Sequence, residues 1–279
     1  MNLMRRKLLA KGLYASVLAL CCKPLEAWAG IPLNNSKKGG TKMLNIRYAE
    51  ERGPSNIGWL KSKHTFSFAN YFDPKFMGFE SLRVINEDKV IPGAGFGTHP
   101  HNNMEIISYV LDGALEHKDS MGNGSIIRKG DVQRMSAGTG ITHSEYNHSK
   151  SDGVHFLQIW FLPKKKNIQP SYEQKSFSDD DKRGKLKLVL SENGREGSVS
   201  INQDVDMYAG ILDDASQSFT HKIKKDRKAW VQVARGSLTL NGEDIRAGDG
   251  VAIDSDTELK FENGNNAEVI VFDMAPLRS

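Results

Sequence analysis

From residue 44 onward, apolar positions come in short bursts separated by turn residues. Ser81–Ile85, Glu105–Leu111 and His155–Leu162 are rich in β-branched and aromatic side chains, the composition of buried strands. Between the bursts stand Asp112-Gly113, Met121–Gly124, Lys129–Asp131 and Ala137–Gly140. No long stretch has the helical period. Short strands at this spacing predict an all-β sandwich or barrel.

The pattern then repeats. Ala229–Gly236 leads into Ser237–Gly242 and on to Ile245–Ile253, which carries Arg246-Ala-Gly-Asp249. Earlier in the chain, Ser108–Gly113 leads into Ala114–His117 and on to Arg128-Lys-Gly-Asp131. Each copy is a strand ending in glycine, a second strand, and an Arg-x-Gly-Asp turn before a third. A diverged duplication follows, with two related β-barrels of about 110 residues, near the usual domain size. The Lys164–Lys166 run and Pro170 interrupt the pattern, so we set the domains at 44–165 and 166–279.

Residues 1–29 follow a different rule. Arg5, Arg6, Lys7 and Lys11 precede an apolar run from Leu13 to Cys22, and Ala27-Trp28-Ala29 follows. That is the layout of a secretory signal peptide, and the paired arginines resemble a twin-arginine leader. The run is shorter than the roughly 20 residues that span a bilayer. The expected location is periplasmic or exported, with no membrane attachment after leader removal. A start at Met43 would instead leave a cytoplasmic protein. Residues 30–43 are polar and read as a linker.

The leader also accounts for the charge. The chain is +4 overall, and the leader supplies that excess, leaving residues 30–279 balanced. The basic character therefore argues for no nucleic-acid partner. Both cysteines, Cys21 and Cys22, lie in the leader, so thiolate ligands and cysteine nucleophiles are excluded downstream.

The candidate chemistry lies in GFGTHPHNNMEI, residues 95–106. In an extended chain His99, His101, Asn103 and Glu105 share one face. Pro100 biases His99 towards extended angles and suits an edge or rim. Alternate residues are about 6.6–7 Å apart at the backbone, so both imidazoles can reach one ion at about 2.0–2.1 Å. His143 and Glu145 form a second such pair in Gly138-Thr-Gly-Ile-Thr-His143-Ser-Glu145. Two dyads on neighbouring strands would bring together three imidazoles and a carboxylate, with Glu105 and Glu145 both open as the oxygen ligand. That donor set suits Fe(II), Ni, Mn, Cu or Zn. His64, His117, His148, His155 and His221 have no comparable setting, and most of them read as surface or satisfied residues. Phe66 and Phe68, which alternate after His64, read as core packing or as an apolar wall for an aromatic ligand.

Gly93-x5-His99-x-His101-x3-Glu105 resembles the first cupin motif. His64-Thr-Phe-Ser-Phe68, Gly97-Thr-His-Pro-His101, Asp119-Ser-Met-Gly122 and Met135-Ser-Ala-Gly-Thr-Gly140 with His143-Ser-Glu-Tyr-Asn147 resemble the pirins, most closely the bacterial pirin-like quercetinases. The resemblance implies a bicupin with one metal in its first barrel, most often Fe(II), held by His99, His101, His143 and Glu145. Glu105 becomes a supporting or packing residue, and the second barrel is expected to be metal-free. The implied activity is a quercetin 2,3-dioxygenase acting on a flavonol and O2 with release of CO, with Glu145 as proton acceptor. The rival reading is a non-catalytic iron-binding redox sensor or protein-interaction module.

Overall fold

The computed structural model describes residues 37–38, 41–42, 44–254 and 256–277. The expected leader and most of the expected linker lie outside them. β1 (Lys37–Lys38) pairs with β2 (Thr41–Lys42). There follow β3 (Asn45–Arg47), β4 (Gly53–Asn56), β5 (Leu60–His64), β6 (Leu82–Val90), β7 (Gly95–His101), β8 (Glu105–Asp112), β9 (Ala114–Asp119), β10 (Gly124–Arg128), β11 (Asp131–Ser136), β12 (Ile141–Asn147), β13 (Val154–Phe161) and β14 (Ser171–Ser176). After the short helix α1 (Asp179–Lys182) come β15 (Leu186–Ser191), β16 (Val199–Ser200), β17 (Val205–Leu212), β18 (Phe219–Ile223), β19 (Lys228–Leu240), β20 (Glu243–Arg246), β21 (Gly250–Ile253) and β22 (Thr257–Met274). Among the described residues, no helix is long and apolar enough to cross a membrane.

The first barrel closes a four-stranded sheet, β10-β9-β12-β7, over a seven-stranded one, β14-β11-β8-β13-β6-β5-β4. The second wraps one sheet, β16-β15-β17-β22-β19-β21-β3, with β18 and β20 on its flanks. Hydrogen bonding does not follow the division at 165/166. β3 pairs with β21 in the second barrel, and β14 pairs with β11 in the first. Each barrel thus takes one strand from the other half of the chain. The sequence pattern could not display this, because pairing partners are set by tertiary contact.

The Arg-x-Gly-Asp turns recur in matching form. Arg128 N–H donates to Asp131 Oδ2 at 2.9 Å, and Arg246 N–H donates to Asp249 Oδ2 at 2.9 Å. Gly130 and Gly248 take φ of 89° and 91°, values that favour glycine. Both aspartates also hold the exchanged chain. Asp131 Oδ2 accepts from Gln174 Nε2 on β14 at 2.9 Å, and Asp249 Oδ1 accepts from Ala49 N–H, just after β3, at 2.8 Å.

At the centre of the seven-stranded sheet β8 and β13 are buried on both faces, which is why they read as continuous apolar runs. The sheet's outer face (Ile85, Ile107, Tyr109, Leu157, Ile159, Phe161) packs on Met207, Trp230, Ile270 and Phe272 of the second barrel in one core. Phe66 lies in that core, with its ring 5.0 Å from Trp230. Beside it, Tyr109 donates to Glu268 at 2.5 Å, and Lys182 Nζ reaches Glu268 at 3.2 Å. Burial, with the Glu268 charge, pushes the Tyr109 phenol well above its usual range. The sheet's inner face is left to line the first barrel.

Candidate metal centre

β7 is an edge strand of the four-stranded sheet, so Pro100 forfeits no ladder bond on its open side. Opposite β12, His143 pairs with His99, whereas Glu145 pairs with Phe96, which marks a bulge at Gly97–Thr98. Such a bulge re-aims side chains. Above it Phe96 faces the core beneath the sheet. Below it His99 and His101 turn inward. Gly95 permits the close approach of β7 to β12, since a Cβ there would lie 2.3 Å from the Glu145 carbonyl oxygen.

Three imidazoles converge. Ring centroids of His99 and His143 are 4.4 Å apart, those of His99 and His101 4.8 Å, and those of His101 and His143 5.0 Å. The candidate ligand atoms of the three lie within 4.8 Å of one another. The His99 Nδ1–H donates to the Gly97 carbonyl at 2.7 Å, which leaves the Nε2 lone pair free. Burial, with His143 and His99 beside it, pushes His101 down to about 3. Burial, with His99 and His117 beside it, pushes His143 down to about 2. Both are therefore neutral at pH 7, the form that binds metal.

Glu145 enters from the same strand as His143 and is 2% exposed. Its oxygens are held from the opposite sheet: Ser108 Oγ donates to Oε1 at 3.0 Å, and Gln158 Nε2 donates to Oε2 at 2.6 Å. Ser108 and Gln158 belong to a polar row across the inner face, with Gln133 on β11 and Asn86 on β6 in register. Glu145 also groups with His143 and His117, again with candidate ligand atoms within 4.8 Å. His143 is the member common to both triads.

The chemistry of these donors fits a divalent transition ion. His101 Nε2, both ring nitrogens of His143 and His117 Nδ1 are buried without a hydrogen-bond partner. Buried polar atoms normally have one. Neutral nitrogen lone pairs gathered beside a carboxylate are what an Fe, Ni, Mn, Cu or Zn ion takes. Both groups of three candidate ligands found among the described residues lie in the first barrel.

Glu105 and Phe66 lie away from the cluster. The chain does not stay extended from His101 to Glu105, because Asn103 adopts φ 47°. β8 therefore begins with new parity, and Glu105 points to the outer face. There it is fully buried, accepting from Ser136 Oγ at 2.7 Å and from Asn202 N–H of the second half at 3.3 Å. Burial pushes its carboxyl up. Phe66 likewise belongs to the contact between barrels. Phe68 does approach the site: its ring is 5.4 Å from Trp160, which is 4.9 Å from the His101 ring.

His117, expected to have no comparable setting, is fully buried beside His143, with ring centroids 5.3 Å apart. Its signal was present: Leu115, His117 and Asp119 alternate as His99 and His101 do. The other histidines are satisfied or exposed. His64 meets Asn86 at 2.8 Å, His155 meets Glu87 at 3.0 Å, and His221 meets Asp273 at 2.9 Å.

Two barrels with related turns and one inward-facing histidine and glutamate cluster define a bicupin with a candidate metal centre in its first half. Residues 45–161 match the pirin family model, and residues 188–274 match the model described as the quercetinase C-terminal cupin domain. The chain belongs to the pirin family. It is 48% identical over 235 residues to the quercetin 2,3-dioxygenase of Escherichia coli strain K12, covering 84% of this chain and 100% of that protein. It is 42% identical over 235 residues to a putative quercetin 2,3-dioxygenase of Pasteurella multocida, covering 83% and 100%. The solved nickel(II) complex of the E. coli bacterial pirin YhhW superposes with a TM-score of 0.79 at 46% identity, covering 84% of this chain and 100% of that one.

Proposed function

We propose that the protein is a metal-dependent dioxygenase that opens the heterocycle of a flavonol of the quercetin type, with O2 as co-substrate. The observation that carries this reading is the set of partnerless imidazole nitrogens meeting beside Glu145 in a chain so similar to proteins named quercetin 2,3-dioxygenase. A divalent ion held by His99, His101, His143 and Glu145, Fe(II) by first preference, would supply the charge that lowers the pKa of the flavonol 3-hydroxyl.

The chain's own groups do the rest. Glu145, fixed at both oxygens by Ser108 and Gln158, accepts the 3-hydroxyl proton. Trp160 and Phe68 supply aromatic surface next to His101 for a flat ring system. Both atoms of O2 enter the opened product, a depside, and one ring carbon leaves as CO.

The test is turnover of quercetin by iron- and nickel-loaded protein, with oxygen uptake and CO followed together. Loaded wild-type protein should consume oxygen and release CO, and Glu145→Ala should lower kcat by about 10²–10⁴-fold. Tight metal binding with neither oxygen uptake nor CO overturns the flavonol reading and favours the iron-sensor one. Export rests on residues 1–29 alone, and N-terminal sequencing of the cell-made protein tests it: a start at Met43 overturns it.

A further inference from the structure

We propose that His117 is a built metal ligand, and that His117, His143 and Glu145 form an inner triad able to hold a divalent transition ion without His99 and His101. The strand register brings these residues together. On β9 and β12, His117 pairs with Glu145 and Asp119 pairs with His143, so all four side chains face into the barrel. Candidate ligand atoms of the triad lie within 4.8 Å of one another.

The hydrogen bonding of His117 is that of a ligand. Its Nε2–H donates to Asp119 Oδ2 at 3.3 Å, so the lone pair sits on Nδ1. Nδ1 is buried and has no partner. A metal-binding histidine characteristically donates its other N–H to a carboxylate or carbonyl, which fixes tautomer and ring angle. His99 shows the same device with the Gly97 carbonyl. Asp119 is itself pinned: Oδ1 accepts from Met121 N–H at 2.9 Å and Asn123 N–H at 3.0 Å, and Oδ2 accepts from Asn123 Nδ2 at 2.8 Å. Most buried side-chain nitrogens have a hydrogen-bond partner, and His117 Nδ1 lacks one while facing Glu145 and His143. His143, with both nitrogens free, can serve either triad.

This inference rests on the metal-binding half of the proposed function and not on flavonol chemistry. The test is Co(II) titration of the metal-free full-length chain, read by ligand-field absorption and by equilibrium dialysis, with near-UV circular dichroism as the check on folding. His99→Ala/His101→Ala should keep cobalt binding with an altered absorption envelope. Adding His117→Ala should weaken that residual binding at least about 10-fold, and adding Asp119→Asn instead should weaken it by about 10–100-fold. A folded double variant that binds no cobalt, while wild-type protein does, overturns the inner triad. So does a triple variant that binds as tightly as the double. Wild-type protein that binds no ion overturns both readings. If the alanine pair does not fold, His99→Asn/His101→Asn carries the same comparison.

Discussion

The two barrels share a turn grammar and differ in what they enclose. Inside the second, Val231, Val233, Leu238, Ile245, Leu259, Phe261, Val269 and Val271 pack as a continuous apolar core. Inside the first, apolar clusters occupy the two ends, and between them stand His99, His101, His117, His143, Glu145, Gln133 and Asp88. Partnerless buried polar atoms occur in both barrels, Arg47 Nε and Arg235 Nε being on strands of the second, but many of them gather in the first interior. Asp88 Oδ1, His101 Nε2, His117 Nδ1, both nitrogens of His143, both amide atoms of Gln133 and Trp160 Nε1 line the first barrel. Buried groups of this kind cost stability. The difference teaches a division of labour: one barrel is packed to be stable, and the other keeps a polar interior that stability alone would remove. The shared outer core lets the first lean on the second.

The comparison can be broken most sharply at His143. His143→Ala should abolish stoichiometric metal binding, measured by elemental analysis, because it removes the residue common to both triads. The melting temperature of the metal-free protein should stay the same or rise, since an unsatisfied buried imidazole is removed. A large fall in that temperature would show that the first interior is a structural core after all.

Next in size is a truncation in the second barrel. Phe261→Ala should cost about 3–5 kcal/mol by urea unfolding, with metal content unchanged. The counterpart in the first barrel, Gln133→Leu, should change stability by less than about 1.5 kcal/mol in either direction. Equal costs would erase the distinction.

Asp88 gives a pH test. Burial, with the charges of Glu145 and Glu87, pushes its carboxyl up to about 7. The folded state then holds this proton more firmly than the unfolded state, whose carboxyl titrates near 3.8. The contribution is full below that value and is lost as pH rises to about 7. Asp88→Asn should remove this dependence, so its stability relative to wild type should rise by on the order of 1–4 kcal/mol between acidic and neutral pH. Parallel pH–stability curves for the two proteins would refute it.

The smallest effect sharpens the likeness. Asp131→Ala and Asp249→Ala each remove a turn bond and a tie to an exchanged strand. Each should cost about 1–3 kcal/mol by thermal unfolding, and the two losses should be similar. A marked inequality would mean that the exchanged strands are held differently.

Much of this was legible in the chain. Strands β6, β8 and β13 fall on the apolar bursts, and the Arg-x-Gly-Asp turns appear twice. The dyads His99/His101 and His143/Glu145 could be read from alternation, since a strand repeats every two residues whatever it packs against. Alternation failed where the strand did. The left-handed turn at Asn103 reset the parity and sent Glu105 to the other face. Phe66 sits on a buried outer face that exists only because a second barrel covers it.

The sequence by itself determined the all-β character, the duplication and the pairs of donors that share a strand face, because these depend on local period and turn chemistry. Only the tertiary structure decided which strands neighbour each other. That placed β3 and β14 in each other's halves, set Ser108 and Gln158 on Glu145, and brought His117 against His143. Cross-strand neighbours come from residues far apart in the chain, and nothing in a local pattern encodes their register.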